Sequence, residues 1–552
     1  MTRGLPDMMG RKWVCALALG ALAFALYLRT AARSAVFGDG PELATAAFQL
    51  GVAHPTGYPL YTLLAHAFIR LVPFGEVIFR TTLLSVVASA ATVAMVYVLG
   101  CALFRQRWPA AVVAVLFAVS DTFWSQAVVT EVYALHMLLI VGVLTGLVQW
   151  DRTGRRRYLR AGALLYGLSL THHLMAVTWL PALLVLVFRS RHRRAAASDW
   201  RGLTLLTVAP LMLYAYLPLA AWRDPPMNWG DVRTVRHFVE HLSGAQYRFH
   251  MGHRSLASWW RSVVNYGGIP EDHVCDGFLL SQFGLPIVWL APLGIATLVR
   301  RNRRMLWVTA TAYIVPLLWA LNYNITDPDA YFEPSHLVVA LWIGYGLRQV
   351  VHWLATALRR RRLRRPERRR VLALARCGVL VLPAMVMVAN WRLNDRSKAS
   401  EIRSLGRAAL EKVKPNSIVI ASGDDWGFGM LYAYYVEGLR PDVVLVFEPF
   451  FQSRNFRLVT RERRRGLVVR EPACSHASVE KEAHGLCRLE RFILDNYRRA
   501  PLYIAGPFVI RLDESRLTKR KLPSYERVVE RVPMLRFRPE SRPAISSPEL
   551  GD

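Results

Sequence analysis

Cysteine is scarce in this chain, six in 552 residues, and no pair has the spacing of a metal knuckle. Cys15, Cys101 and Cys377 fall in apolar runs and read as packing residues. Cys474 and Cys487 stand close enough in sequence to pair in an oxidising compartment. Neither a GxGxxG nor a Walker spacing is present, so nothing argues for a built-in nucleotide site. No internal repeat is seen, which removes the solenoid architectures. No clear small-x-small cleavage site follows Arg11, Lys12 and the apolar run Trp13–Leu28, so that run reads as a retained anchor. Acidic residues are few as well, 39 against 70 Lys and Arg, for a net charge of +31.

Such a charge would suggest nucleic acid in a soluble protein. Its distribution says otherwise. Hydrophobic residues make up 53% of the chain. Apolar segments recur at 13–29, 80–104, 108–122, 126–150, 158–172, 174–189, 203–222, 285–299, 304–322, 335–357 and 371–390. That is about eleven spans. Segment 58–73 carries Pro59, His66 and Arg70 and suits a helix lying along the interface. Arginine clusters fall in alternate loops: 105–107, 152–157, 189–194, 300–304 and 359–370. By the positive-inside rule the N-terminus and every cluster are cytoplasmic, while the 30–79 loop and the chain from 391 onward are outside. The partners expected are a lipid bilayer and no nucleic acid. The expected location is multi-pass, in a bacterial inner (plasma) membrane.

The predicted fold is an α-helical polytopic membrane protein with a C-terminal α/β soluble domain. Residues 1–390 form the membrane body, with a first outside loop at 30–79 and a long one at 223–284. Residues 391–540 form the soluble domain, and 541–552 read as a disordered tail. Ser417–Ser422 is a short apolar strand, 423–429 a Gly-rich turn, 430–437 helical and Asp442–Phe447 a second strand. That order is a βαβ unit. Within the long loop, 231–247 could be an amphipathic interfacial helix.

Four polar clusters are predicted at the outer face. The first holds Asp39, Glu42, His54 and Tyr58, in Phe37-Gly-Asp-Gly-Pro-Glu42 and Ala53-His-Pro-Thr-Gly-Tyr-Pro-Leu60. The second holds Glu131, Tyr133 and His136, the third His172 and His173, and the fourth Asp327, Asp329 and Tyr331. Each has a bland alternative. Asp39 and Glu42 match a helix cap and capping box, Glu131 a hairpin cap, the His pair interfacial residues, and the Asp pair a turn. Together they fit a reaction cavity better than four independent caps. A transport path would need polar groups through the bilayer centre, where the spans supply few.

These motifs resemble a family of the GT-C superfamily of membrane glycosyltransferases, formerly a domain of unknown function, that includes the eukaryotic transmembrane O-mannosyltransferases. The resemblance rests on Gly38–Glu42 and His54–Leu60, where the family has Asp-Ser-Gly-Glu and His-Pro-Pro-Gly-Tyr-Pro. It continues in Glu131–Tyr133, His172-His173, Asp327–Pro334, Gly423–Asp425 and Glu437–Asp442. The chain departs from the pattern in Gly40-Pro41 between the two carboxylates. The resemblance implies a GT-C-like fold and a transferase moving a sugar from a polyprenyl-phosphate donor to a protein, lipid or glycan hydroxyl, by inverting displacement. Asp39, or else Glu42, would be the general base, since the attacking hydroxyl must lose a proton. His54, Tyr58, Glu131, Tyr133, His172, His173, Asp327 and Tyr331 would line the substrate site. Arg248 and Arg254 are candidates to neutralise the leaving phosphate. No cofactor is called for, and a divalent metal stays open. The competing classes are a carrier or flippase for lipid-linked sugars and a non-catalytic assembly protein of the cell envelope.

Overall fold

The computed structural model describes residues 5–252, 255–267, 279–325, 328–361, 363–452, 467–470, 481–506, 525–529 and 534–537. Lipid offers no partner to a backbone amide, so long apolar runs must fold as helices. Helix covers most of each expected span. Among the described residues seven helices are long and apolar enough to cross a membrane: Gly10–Thr30, Val77–Phe104, Tyr133–Thr153, Trp200–Trp222, Arg303–Asn322, Asp329–Arg360 and Arg365–Asn394. An eighth is a pair, Arg107–Ala118 and Asp121–Ala127, bent by 66°. Leu174–Phe188 is apolar but shorter.

Two expected boundaries move. The span read as 126–150 begins only at Tyr133, because Val128–Val132 leave the helix and carry Glu131 in an irregular segment. The helix read as 231–247 is shorter, Val235–Leu242, and is followed by a 3-10 turn at Ala245–His250.

Val77–Phe104, Tyr133–Thr153 and Glu333–Arg360 are buried along most of their length, and the outer helices expose apolar side chains around them. One contact shows how tightly the bundle closes. A Cβ added to Gly346 would overlap the carbonyl of Leu290, so helices Glu333–Arg360 and Leu290–Arg301 meet backbone to backbone. The amide of Arg396 donates to the carbonyl of Thr30 at 2.9 Å. The end of the first span and the end of the last therefore share one face of the bundle.

The C-terminal region holds a five-stranded sheet ordered β2-β1-β3-β5-β4. The strands are β1 (Ile418–Ala421), β2 (Val444–Phe447), β3 (Leu502–Ala505), β4 (Tyr525–Val529) and β5 (Met534–Phe537). β1 runs parallel to β2 and β3, with Ile418 opposite Val444 and Leu502. β5 pairs antiparallel with β3 and β4. The βαβ unit is present, but its helix, Asp424–Tyr435, starts inside the stretch read as a turn. Gly429 is there for close packing, since a Cβ would strike Ile402 of helix Glu401–Lys412. The expected Cys474–Cys487 pairing and the 541–552 tail lie outside what is described.

This sheet module is docked on the membrane body. Arg403 bridges Glu76 at 2.6 Å and Glu437 at 2.8 Å, and Arg407 reaches Glu437 at 3.0 Å. The hydroxyl of Tyr432 accepts from the amide of Ile78 at 3.1 Å. Helix Asp424–Tyr435 packs against Gly40–Gln49, the helix that begins just after Asp39.

Candidate active site

Asp39 is the N-cap of helix Gly40–Gln49, with Pro41 in the first turn, where its missing N–H costs nothing. Its side chain makes no capping bond. Glu42 does not reach back to it either. The chain returns after a left-handed Leu50, and His54 settles over Glu42. The His54 amide donates to Glu42 Oε1 at 3.0 Å, and its Nδ1 lies 3.1 Å from Oε2. The capping-box alternative is therefore not what these carboxylates do. Glu42 is fully buried, whereas the Asp39 side chain keeps 42% of its surface, with Oδ2 3.6 Å from His54 Nε2.

One imidazole thus faces two carboxylates. Burial alone would lower the His54 pKa, but Asp39 and Glu42 together raise it to about 9. Burial raises the Glu42 pKa against the pull of His54. The Tyr58 hydroxyl lies 3.0 Å from His54 Nε2. The turn from His54 to Tyr58 closes through the Gly57 amide on the His54 carbonyl at 2.8 Å.

Tyr58 opens an aromatic wall. Its ring stacks on His173 at 5.7 Å. His173 lies 5.4 Å from both Tyr133 and His136. Tyr133 meets Tyr331 edge-on at 5.6 Å, and Tyr331 meets Tyr323 at 5.0 Å. His173 Nδ1 accepts from the Met175 amide at 3.1 Å, so a neutral ring carries its proton on Nε2. His172 is different. It donates from Nε2 to the Val132 carbonyl at 2.7 Å and stacks on Tyr61, which anchors the irregular segment around Glu131. Ser85 Oγ holds the Glu131 amide at 3.3 Å, and Glu131 Oε1 lies beside Gly38.

Sequence reasoning therefore named ten side chains that the fold brings into one neighbourhood: Asp39, Glu42, His54, Tyr58, Glu131, Tyr133, His136, His172, His173 and Tyr331. Arg248 is not among them. It is exposed and donates to Ser243 at 3.3 Å. Asp327 and Arg254 lie outside the described residues.

Three further groups were missed. Tyr247 is next to Arg248, and its phenol pKa is raised, by burial first and then by Asp39. Tyr323 lies a short way before the fourth cluster in sequence and meets Tyr331 edge-on. His241 lies in the long loop at 223–284; burial and then His54 lower its pKa to about 3. The loop that carries it is fastened to the first one by Val52 N to Met227 O at 2.9 Å and Trp229 N to Val52 O at 3.1 Å. No group of three His, Cys, Asp or Glu able to hold a metal occurs among the described residues.

Residues 39–196 match the family described as the N-terminal domain of protein O-mannosyl-transferase TMEM260. The match opens on Asp39 and runs past His173. The chain is 28% identical to the mouse protein O-mannosyl-transferase TMEM260 over 451 residues, which is 78% of this chain and 62% of that one. It is 22% identical to the Dictyostelium discoideum protein over 473 residues, 76% of this chain and 55% of that one. The chain thus spans little more than half the length of these relatives. Among solved structures it resembles ArnT from Cupriavidus metallidurans bound to undecaprenyl phosphate. The TM-score is 0.53 at 13% identity, covering 95% of this chain and 97% of that one. It also resembles AglB from Archaeoglobus fulgidus in complex with an inhibitory peptide and a dolichol-phosphate. There the TM-score is 0.52 at 11% identity, with 92% and 72% covered. Both are GT-C glycosyltransferases, so the fold is GT-C-like; the long apolar helices make the chain an integral membrane protein.

Proposed function

We propose that this chain is a membrane glycosyltransferase that moves a hexose, in the first instance mannose, from a polyprenyl-phosphate donor to a hydroxyl of a protein acceptor. The observation that carries the reading is the Asp39 carboxylate, open to solvent beside a sealed Glu42–His54 pair and the Tyr58–Tyr331 aromatic wall. The relatives named as protein O-mannosyl-transferases and the ArnT complex with undecaprenyl phosphate support it.

In this reading Asp39 accepts the proton of the acceptor hydroxyl as its oxygen attacks the anomeric carbon. The new C–O bond forms on the face opposite the phosphate. The old C–O bond breaks, and the lipid phosphate leaves with the electron pair, giving inversion. His54, held between Asp39 and Glu42 with its pKa raised to about 9, puts a positive charge beside both carboxylates. The tyrosine faces offer a shelf for the apolar face of a sugar, with hydroxyls at its edge. The topology proposed puts the N-terminus in the cytoplasm and the site outside, with the bacterial inner membrane as the location.

The test is to incubate purified protein with a panel of polyprenyl-phosphate sugars and follow release of the lipid phosphate. Acceptor-dependent release with one sugar supports the reading. No release with any donor, in protein that still binds one, removes the enzyme reading.

A further inference from the structure

At the far end of helix Glu333–Arg360 from the candidate site lies a cavity of about 150 Å³, lined by Gln106, Arg301, Arg348, Gln349, His352 and Arg376. Arg348 and His352 follow Glu333 by enough residues to lie roughly 25 Å along the axis, at about 1.5 Å per residue. That is close to the thickness of a bilayer core. The cavity therefore opens at the opposite membrane boundary from Asp39, among the arginine clusters.

Its chemistry is one-sided. Three arginines line it, and no Asp or Glu does among the described residues. Two half-buried arginines elsewhere are neutralised: Arg304 by Asp151 and Arg403 by Glu76. Arg301, Arg348 and Arg376 form no such pair among the described residues. One wall is already set, since Gln106 accepts from the Trp108 indole at 2.9 Å and Arg376 lies over that ring at 6.0 Å. Gln349 is buried at the back, and Arg348 is half-buried. Like charges brought together in this way repel unless an anion sits between them. The guanidinium fork matches the oxygens of a phosphate in pairs.

We propose that this cavity binds a phosphate ester, either the headgroup of an anionic membrane lipid or a small soluble phosphate. Basic pockets between helices at a membrane face are suited to such headgroups. The proposal is independent of the transferase reading.

The full-length protein is delipidated in detergent and exposed to phosphatidylcholine vesicles with or without phosphatidylglycerol, or to inorganic phosphate. Bound lipid is counted by native mass spectrometry, and the thermal midpoint is read at each ligand concentration. Arg301→Gln with Arg376→Gln removes two exposed charges. Arg193→Gln with Arg194→Gln removes two exposed charges of the same face that lie off the cavity. The expected result is retention of phosphatidylglycerol that falls by about fivefold for each cavity charge removed and is unchanged in the off-cavity pair. The same sensitivity with inorganic phosphate alone identifies a soluble phosphate as the ligand. Equal binding by the two double variants, or no binding of either probe by the unaltered protein, overturns the proposal. Arg348→Gln adds a third step if it folds; the exposed pair decides the question without it.

Discussion

The amide of Gly38 donates to Oδ1 of Asp425 at 2.9 Å, across 387 residues of sequence. One contact thus ties the residue before Asp39 to the first turn of helix Asp424–Tyr435 in the sheet module. The module is a support for the first loop, reinforced by Arg403 between Glu76 and Glu437. Asp425→Ala should loosen Asp39 without touching substrate. An ångström of misplacement can cost about 10²-fold, so transfer should fall between about tenfold and that value while the thermal midpoint moves little. Asp425→Asn keeps an acceptor oxygen and should restore most of the rate. Equal rates for all three proteins would show that the contact does not position the loop.

Asp39→Asn removes the basic oxygen and preserves size. Turnover should drop by roughly 10²–10⁴-fold, the usual contribution of general acid–base catalysis. Donor binding should persist, as read by protection of a retained lipid phosphate. If Asp39 were only a helix cap, Asn would serve as well. Glu42→Gln should act differently. It removes the buried anion under His54, so stability should suffer along with rate. A silent Asp39→Asn with a dead but folded Glu42→Gln would move the base to Glu42.

His54 makes the site pH-sensitive. Its folded pKa of about 9 lies above the ordinary 6.5. A raised pKa means that its stabilisation is complete below 6.5, declines as pH rises and is lost above about 9. Thermal midpoints should therefore fall from pH 6.5 towards 9, with transfer falling on the same limb. His54→Gln should be less stable at neutral pH and lack this dependence. A midpoint flat across that range would remove the charged-imidazole reading.

Gly346→Ala should push helices Glu333–Arg360 and Leu290–Arg301 apart, because the new methyl meets the Leu290 carbonyl. Overpacking of this kind costs about 1–3 kcal/mol. Gly378→Ala is the control: its Cβ would meet nothing within 4 Å, so the alanine should be neutral or slightly stabilising. Unfolding in detergent compares them, and equal midpoints would contradict the close approach.

Fusions test the topology. The Arg396–Thr30 contact at 2.9 Å requires an even number of crossings between those residues. A reporter after Arg365 should read cytoplasmic and one near Ser417 external. Both on one side would break the odd total of spans.

The spans were legible in the sequence because a bilayer imposes a minimum length of apolar residues and leaves the backbone no fold but a helix. The βαβ order was legible for a similar reason, since two short apolar strands around a helix can pair only in parallel. His54, Tyr58, Tyr133, His173 and Tyr331 could be named as polar or aromatic residues near predicted span ends. Their convergence could not. It depends on which helices pack side by side, and that is set by contacts such as Gly346 on Leu290 far from any motif. The split between Asp39 and Glu42 was equally hidden. Both are carboxylates of one short motif, and only the returning chain, which brings His54 down on Glu42, seals one and leaves the other open. Tyr247 and His241 were obscured because the amphipathic pattern of 231–247 gives a helix but not its position, and the loop takes its place from the backbone pairing of Val52 with Met227 and Trp229. Sequence thus determined the chemistry available, through residue type and local spacing. Tertiary structure decided which of those groups are desolvated, paired or exposed, because burial and charge pairing depend on neighbours that lie hundreds of residues apart.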